Sequence, residues 1–123
     1  MSPDGTTDVA TLSDLVTACS RVTEYVHGAR RSDLDRNHQL LSACCYQIAV
    51  MGEAVKRLSL TTRDKYQEVP WKDIAGMRDR LIHGYDSVDV DELWKTATVD
   101  LPKLLRQVRT IQAAISGSDQ FKK

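Results

Sequence analysis

The feature that most constrains the fold is a helical period in the apolar residues that runs through almost the whole chain. In four segments, apolar side chains recur every three or four residues, which places them on one face of an α-helix. The segments cover residues 12–26, 41–58, 71–81 and 90–115. Four such segments joined by short connectors predict an all-α fold, an antiparallel up-and-down bundle of four to five helices.

Composition limits both the size of the fold and its class. A chain of 123 residues predicts one domain over residues 1–123, with an ordered core at about 9–115 and flexible ends. No run approaches the ~18–20 apolar residues of a membrane helix, so we expect no membrane partner. The 17 basic and 17 acidic side chains cancel, which excludes a protein that coats nucleic acid through bulk positive charge.

The chain start and the cysteines indicate the compartment. The first eight residues are polar and acidic, without the basic and apolar regions of a secretory signal. The three cysteines are an odd number, and Cys44 and Cys45 are adjacent, so a disulfide framework is not expected. Reduced thiols in a cytoplasmic protein fit this pattern.

Several residues mark helix boundaries. Pro70 suits the first position of the third helix, where the missing N–H has no partner inside the helix. Asp89 followed by Glu92 is an aspartate version of the capping box and predicts the start of the fourth helix. The acidic residues around it could also suggest a cation site, but they lack the glycine and terminal glutamate of a calcium loop. Pro102 predicts a lost hydrogen bond and a bend.

A run of polar side chains at the end of the third segment is the candidate for chemistry. Arg78, Asp79, His83 and Tyr85 fall within eight residues. One interpretation is structural: His83 lies in the last turn of a helix, favoured by the dipole, and Gly84 supplies the left-handed turn that ends it. The other interpretation is a functional site.

Helix geometry leaves two ways for these polar residues to form one site. Asp79 and His83 are four residues apart, so the carboxylate could orient the imidazole. Arg78 and His83 are five apart, about 140° around a straight helix. They converge on one phosphate if the helix ends near His83, or if a two-fold dimer brings two Arg–His pairs into one cleft. His27 and His38 lie on other segments, and no spacing suits a metal or a cofactor.

Several motifs together resemble a known family. They are GEAVKRLS at 52–59, VPWKDIAGMR at 69–78, LIHGY at 81–85, VD at 88–89, LW at 93–94 and LP at 101–102. With them the chain resembles the HepT-like proteins of the HEPN superfamily, which belong to HEPN/minimal-nucleotidyltransferase toxin–antitoxin systems. The resemblance covers about residues 9–115.

The resemblance implies a helical two-fold dimer that acts as a metal-independent endoribonuclease through Arg78 and His83. Tyr85 completes the R-x4-H-x-Y motif of the family. In HepT-like toxins a partner nucleotidyltransferase adenylylates this tyrosine and silences the toxin. Related proteins often carry Asn after the arginine, where this chain has Asp79. The implied partners are a second copy, a cognate minimal nucleotidyltransferase antitoxin and an RNA substrate, with tRNA among the candidates.

The chemistry follows from these residue types. His83 would act as general base on an RNA 2′-hydroxyl or as general acid on the leaving 5′-oxygen. Arg78 would stabilise the charge of the transition state, for which a planar guanidinium with several donors is suited. An adenylyl group on Tyr85 would bring charge and bulk into the RNA path, whereas the structural alternative packs this tyrosine on the bundle.

Two further residues are candidates for supporting roles beside Asp79. Glu53 either faces the polar site or pairs with Arg57 one helical turn later, and the pair is the favoured interpretation. Arg80 is close enough in sequence to be a phosphate contact. The competing function is a non-catalytic helical dimer that binds or scaffolds a nucleotidyltransferase, or acts as the neutralising member of the pair.

Overall fold

In a computed structural model, which describes residues 6–83 and 87–121, the chain is built from α-helices. They are α1 (Thr6–Val26), α2 (Asp33–Arg36), α3 (His38–Arg57), α4 (Leu60–Lys65), α5 (Trp71–Leu81), α6 (Val90–Lys95) and α7 (Leu101–Phe121). A π-helical turn, Thr96–Asp100, joins α6 to α7 into one continuous helix. The described ranges contain no named strand, and the all-α prediction is confirmed.

The four predicted stripes form one core. α3 packs between α1 and α5, and α7 packs on α1, as expected when short connectors join consecutive helices. The largest side chains with almost no exposed surface come from every stripe: Leu12, Leu15, Val22, Ile48, Met51, Val55, Ile74, Leu81, Leu93, Leu101 and Ile111. Among the described residues, no helix combines the length and apolar character needed to cross a bilayer.

The carboxyl ends of α1, α3 and α5 lie within about one residue of the predicted ends, whereas α1 and α3 begin earlier and α7 ends later than their apolar stripes. α1 ends two residues before Gly28, whose φ of +77° is a conformation that glycine adopts without strain. Pro70 is the N-cap of α5 and not its first residue, so the helix begins one position later than predicted. The carbonyl of Pro70 accepts the N–H of Ile74 at 3.1 Å, which is the first bond of the helix.

The short helix α4 is fixed to the start of α1 by one buried carboxylate. Asp8 accepts hydrogen bonds from the Ser59 N–H (3.0 Å), the Ser59 hydroxyl (2.6 Å) and the Thr62 hydroxyl. The Ser59 hydroxyl in turn accepts the Thr62 N–H and caps α4. Both α2 and α4 are too short to show a helical period, so the sequence did not predict them.

Directly before Pro102, where the sequence predicts a lost hydrogen bond and a bend, the structure has the π turn. In this turn the Leu101 N–H reaches the Thr96 carbonyl, five residues back, so the turn is one residue wider than an α-turn. Pro102 follows directly and has no N–H to continue the α-pattern. The wide turn therefore lies where the proline would otherwise interrupt the helix.

The three cysteines are free thiols, of which two are buried and one is half-buried. Burial raises the pKa of Cys19 to about 12 and that of Cys44 to about 11. The Cys19 thiol donates to the Leu101 carbonyl at 3.3 Å and so joins α1 to α7. Thiols in this state are poor nucleophiles, because the thiolate is the reactive form.

Candidate active site

The candidate site lies where α5 ends and the chain turns back towards α6. α5 ends at Leu81, and Ile82 has extended dihedral angles of −115° and 112°. The Ile82 N–H still donates to the Arg78 carbonyl at 2.9 Å. His83 therefore follows the helix and does not lie in its last turn. The interpretation of His83 as a helix-terminal histidine does not hold in this structure.

Backbone bonds close the base of the turn that follows. The contacts are an antiparallel bridge between Ile82 and Val88, a 2.7 Å bond from the His83 N–H to the Ser87 carbonyl, and a 2.8 Å bond from the Asp89 N–H to the Leu81 carbonyl. They fix the backbone of His83 relative to the end of α5. Gly84 and the predicted modification residue Tyr85 lie outside the described residues.

Arg78 is the half-exposed cation of the site. Its side chain is 52% exposed in the last turn of α5, and its Nη1 lies 3.2 Å from the Asp79 carboxylate. Burial raises the pKa of the Cys45 thiol on α3, and the positive charge of Arg78 acts against this rise. Arg78 is thus close to α3 while its guanidinium remains open to solvent and to a phosphate.

Asp79 does not orient His83 in the way that the sequence suggested. The expected pair needs both residues on one helix, and α5 ends at Leu81. The Asp79 side chain is 80% exposed and pairs with Arg78. No hydrogen bond joins it to His83 in the part of the chain that the structure describes. The ion pair with Arg78 is a surface pair, and exposed pairs of this kind contribute little to stability.

Arg80 lies on the other side of α5. Two positions along a helix correspond to about 200°, so Arg80 points away from Arg78. Its Nη1 donates to the Asp73 carbonyl at 3.4 Å. Arg80 also lines a groove of about 400 Å³ between α5 and α7, together with Met77 and Leu104. The structure does not bring Arg80 to the side of Arg78.

The predicted pair of Glu53 with Arg57 is wrong. Glu53 pairs with Lys56 at 3.4 Å, and Arg57 lies 3.6 Å from Asp14 on α1. The reason lies in the tertiary structure, because Arg57 lies near α1 and pairs there with a carboxylate that is distant in sequence. No contact among the described residues joins Glu53 to Arg78 or His83.

The sequence analysis missed that His27 and His38 line the same surface depression. Both are exposed, and with Arg36 they line an open depression of about 640 Å³ between the end of α1 and the start of α3. The signal was the short connector between the two helices, which forces these ends together. Within residues 6–83 and 87–121, no group of three or more His, Cys, Asp or Glu side chains could hold a metal ion.

Comparisons with known proteins agree on one family. The family described as ribonuclease HepT-like matches residues 15–111. A protein from Caldanaerobacter subterraneus subsp. tengcongensis, named as a candidate RNase, is 38% identical over 100 residues, which are 81% of this chain and 89% of the relative. A candidate RNase from Methanocaldococcus jannaschii is 32% identical over 111 residues, 90% of this chain and 92% of the relative.

A third relative carries the name of the family itself. It is named "Probable ribonuclease HepT", comes from Thermococcus cleftensis, and is 33% identical over 93 residues, 76% of this chain and 84% of the relative. No solved structure matches the chain at a significant level. The family match extends from within α1 to within α7 and so covers most of the chain. The chain therefore belongs to the ribonuclease HepT-like family of the HEPN superfamily.

Proposed function

We propose that this protein is the toxin of a HEPN/minimal-nucleotidyltransferase toxin–antitoxin pair and cleaves cytoplasmic RNA without a metal. The cleaving groups are Arg78 and His83, arranged at the cleft of a two-fold dimer. The observation that supports this most is the pair itself. The half-exposed guanidinium of Arg78 lies in the last turn of α5. The exposed imidazole of His83 follows the helix on a backbone held by hydrogen bonds, and the chain is a member of a ribonuclease family.

The proposed reaction needs only groups of the RNA and of the protein. The 2′-hydroxyl oxygen attacks the adjacent phosphorus, and the bond to the 5′-oxygen of the next nucleotide breaks. One product ends in a 2′,3′-cyclic phosphate and the other in a 5′-hydroxyl. His83 takes the proton of the 2′-hydroxyl or gives one to the leaving oxygen. Arg78 donates to the phosphorane oxygens, where negative charge accumulates.

Asp79, Arg80 and Glu53 have supporting places in this proposal. Asp79 holds the Arg78 guanidinium until a phosphate replaces the carboxylate, since the two side chains are already paired at the surface. Arg80, on the opposite side of α5, is a candidate for contact with RNA that flanks the cleavage site. Glu53 is exposed on α3, and in this proposal it contributes to the polar cleft of the dimer.

Neutralisation is proposed to act on Tyr85. The partner nucleotidyltransferase would transfer AMP from ATP, so that the phenol oxygen attacks the α-phosphorus, loses its proton, and pyrophosphate leaves. The modified residue lies two positions after His83 and adds a negative charge that repels RNA. We expect a single AMP adduct on Tyr85 when the protein is produced with its partner, measured by intact mass and peptide mapping. An unmodified Tyr85 in an inactive complex would refute this step.

The cleavage reaction is tested on purified protein with RNA in the presence of EDTA. We expect cleavage with 2′,3′-cyclic phosphate ends, and at least about a 100-fold loss of rate for Arg78→Ala and His83→Ala, because each removes a group that acts in the transition state. Arg106→Ala and His27→Ala are the matched controls, since both residues are exposed and outside the proposed pair. Circular dichroism should show the same helicity in all variants.

Two results would contradict the proposed function. Cleavage that requires a divalent metal and leaves a 3′-hydroxyl would exclude attack by the 2′-hydroxyl. Growth arrest that is equally strong with His83→Ala would exclude cleavage as the cause. The second result would favour the alternative, a non-catalytic helical dimer that binds a nucleotidyltransferase.

A further inference from the structure

We infer that Asp89 is a positioning residue for His83, because it holds together the two helices on either side of the turn that begins with His83. This inference rests on the proposed function, in which His83 moves a proton. Asp89 itself is not expected to touch the RNA. Its role would be to keep the backbone of His83 in one place relative to α5 and Arg78.

The bonds of Asp89 run in two directions. Towards α5, its backbone N–H donates to the carbonyl of Leu81 at 2.8 Å. Towards α6, its side-chain Oδ1 accepts the N–H of Glu92 at 3.2 Å, and its carbonyl accepts the N–H of Leu93 at 2.9 Å. Only half of the predicted capping box therefore forms, because the Asp89 N–H donates to the Leu81 carbonyl of α5 and not to the Glu92 side chain. One residue thus links the last residue of α5 to the first turn of α6.

Both ends of this link are anchored in the core. Leu81 and Leu93 have no exposed surface, and the bridge residues Ile82 and Val88 pack against the core. A 2.7 Å bond between the His83 N–H and the Ser87 carbonyl closes the base of the turn. His83 is the last residue on the α5 side of that bond, so its position depends on whether the link at Asp89 stays closed.

The side chain of Asp89 is the part of the link that a substitution can remove. An N-cap carboxylate satisfies an N–H that has no partner inside the helix, and its loss weakens the first turn. This cap lies at the start of the continuous helix that runs from α6 through the π turn into α7. Opening of the first turn releases the Asp89 backbone from Leu81 and lets His83 move, which lowers the fraction of time it spends in the reactive position.

The test compares three variants in the full chain. Asp89→Ala removes the cap, and Asp89→Asn keeps an acceptor for the Glu92 N–H. Ser59→Ala is the matched control, because it removes the N-cap of α4 at the opposite end of the bundle. Two quantities are measured: the hydrogen exchange rate of the His83 amide by NMR without RNA, and kcat and KM for RNA cleavage.

We expect Asp89→Ala to raise the exchange rate of the His83 amide at least about fivefold, because loss of a cap allows local opening. We also expect it to lower kcat about tenfold or more with KM within about twofold, since a displaced proton-transfer group affects the transition state more than binding. Asp89→Asn should restore both values to within about twofold of the wild type. Ser59→Ala should lower the melting temperature and change neither quantity.

Three results would overturn the inference. The first is an unchanged exchange rate of the His83 amide in Asp89→Ala, which would show that the link does not depend on the cap. The second is an equal loss of kcat in Ser59→Ala, which would indicate a general loss of stability. The third is a failure of Asp89→Asn to restore kcat. Wild-type protein that exchanges slowly at His83 but cleaves no RNA would instead remove the proposed function, and the inference with it.

Discussion

Asp8 shows at the scale of one residue how the environment decides whether a buried carboxylate stays charged. Burial alone would raise its pKa, and this is the largest single influence. The hydrogen bonds from Ser59 and Thr62 and the positive charge of Arg63 outweigh it, so the pKa lies below the ordinary value of 3.8. No pattern in the sequence indicated this cluster, because Asp8 precedes the first apolar stripe and its partners are more than fifty positions away.

Asp8 should therefore make the stability of the fold depend on pH. A carboxylate whose pKa is lower in the folded state than in the unfolded state stabilises the fold. This contribution is complete at a pH above the ordinary pKa and is lost as the pH falls through the lowered pKa. We expect Asp8→Asn to reduce the free energy of unfolding at pH 7 by about 1–3 kcal/mol, because the charge-assisted bonds are lost.

Urea unfolding from pH 7 down to about pH 2.5 measures this effect, over the range in which carboxylates titrate. The difference between wild type and Asp8→Asn should shrink as the pH falls. Asp14→Asn is the control, since Asp14 is 61% exposed and its ion pair with Arg57 spans 3.6 Å. Parallel stability curves for wild type and Asp8→Asn across the whole range would contradict the lowered pKa.

At the scale of helices, Gly52 sets the distance between α3 and α5. A Cβ at this position would lie 3.3 Å from the carbonyl oxygen of Ala75 and 3.5 Å from that of Ile74. Both atoms belong to the backbone of α5, which cannot move aside as a flexible side chain can. The same helix carries Arg78 in its last turn, so this close contact also helps to place the candidate site.

Alanine should have opposite effects at two glycines of this helix pair. We expect Gly52→Ala to lower the free energy of unfolding by about 1–3 kcal/mol, because overpacking against a backbone forces a helix shift. Gly76→Ala should raise it by about 0.5–1 kcal/mol, since nothing lies within 4 Å of its Cβ and alanine favours the helix. Chemical unfolding of both variants checks this pair of predictions, and a stabilised Gly52→Ala protein would exclude the close contact.

The sequence predicted the helices well and their mutual contacts poorly, for a physical reason. A long helix must bury a stripe of apolar residues, and that stripe is visible in the order of residues, as it was for 41–58 and 90–115. The partner of a charged side chain depends on which helices pack together. Arg57, for example, contacts Asp14 on α1 and not Glu53 on its own helix. Likewise, the motif identified Arg78 and His83, but only the backbone showed that the helix ends between them.

At the scale of the whole molecule, the charges cancel, and some of them form pairs on the described surface. Arg31 lies 2.6 Å from both Asp35 and Asp91, and Arg36 lies 3.4 Å from Asp33. Cations that are already paired contribute less to the attraction of a polyanion. We therefore expect RNA binding to be local and only weakly dependent on salt, with affinity concentrated at the cleft that a dimer would form.

Cleavage should depend on that dimer. One protomer supplies a single Arg78 and a single His83, and the proposed cleft combines two such pairs. We expect sedimentation to give twice the 13.8 kDa of one chain, and the cleavage rate per protomer to fall on dilution as the dimer dissociates. The rate and the sedimentation coefficient are measured over the same concentrations. A constant rate per protomer in samples that sediment as monomers would show that one chain suffices.

The bridge between Ile82 and Val88 has a consequence for how such proteins can diverge. The bonds at the base of the turn join residues on either side of positions 84–86. Ile82 and Val88 also pack against the core, so a substitution at either position affects the core and the backbone next to His83 together. Divergence of the core at these two positions is therefore coupled to the geometry of the candidate histidine.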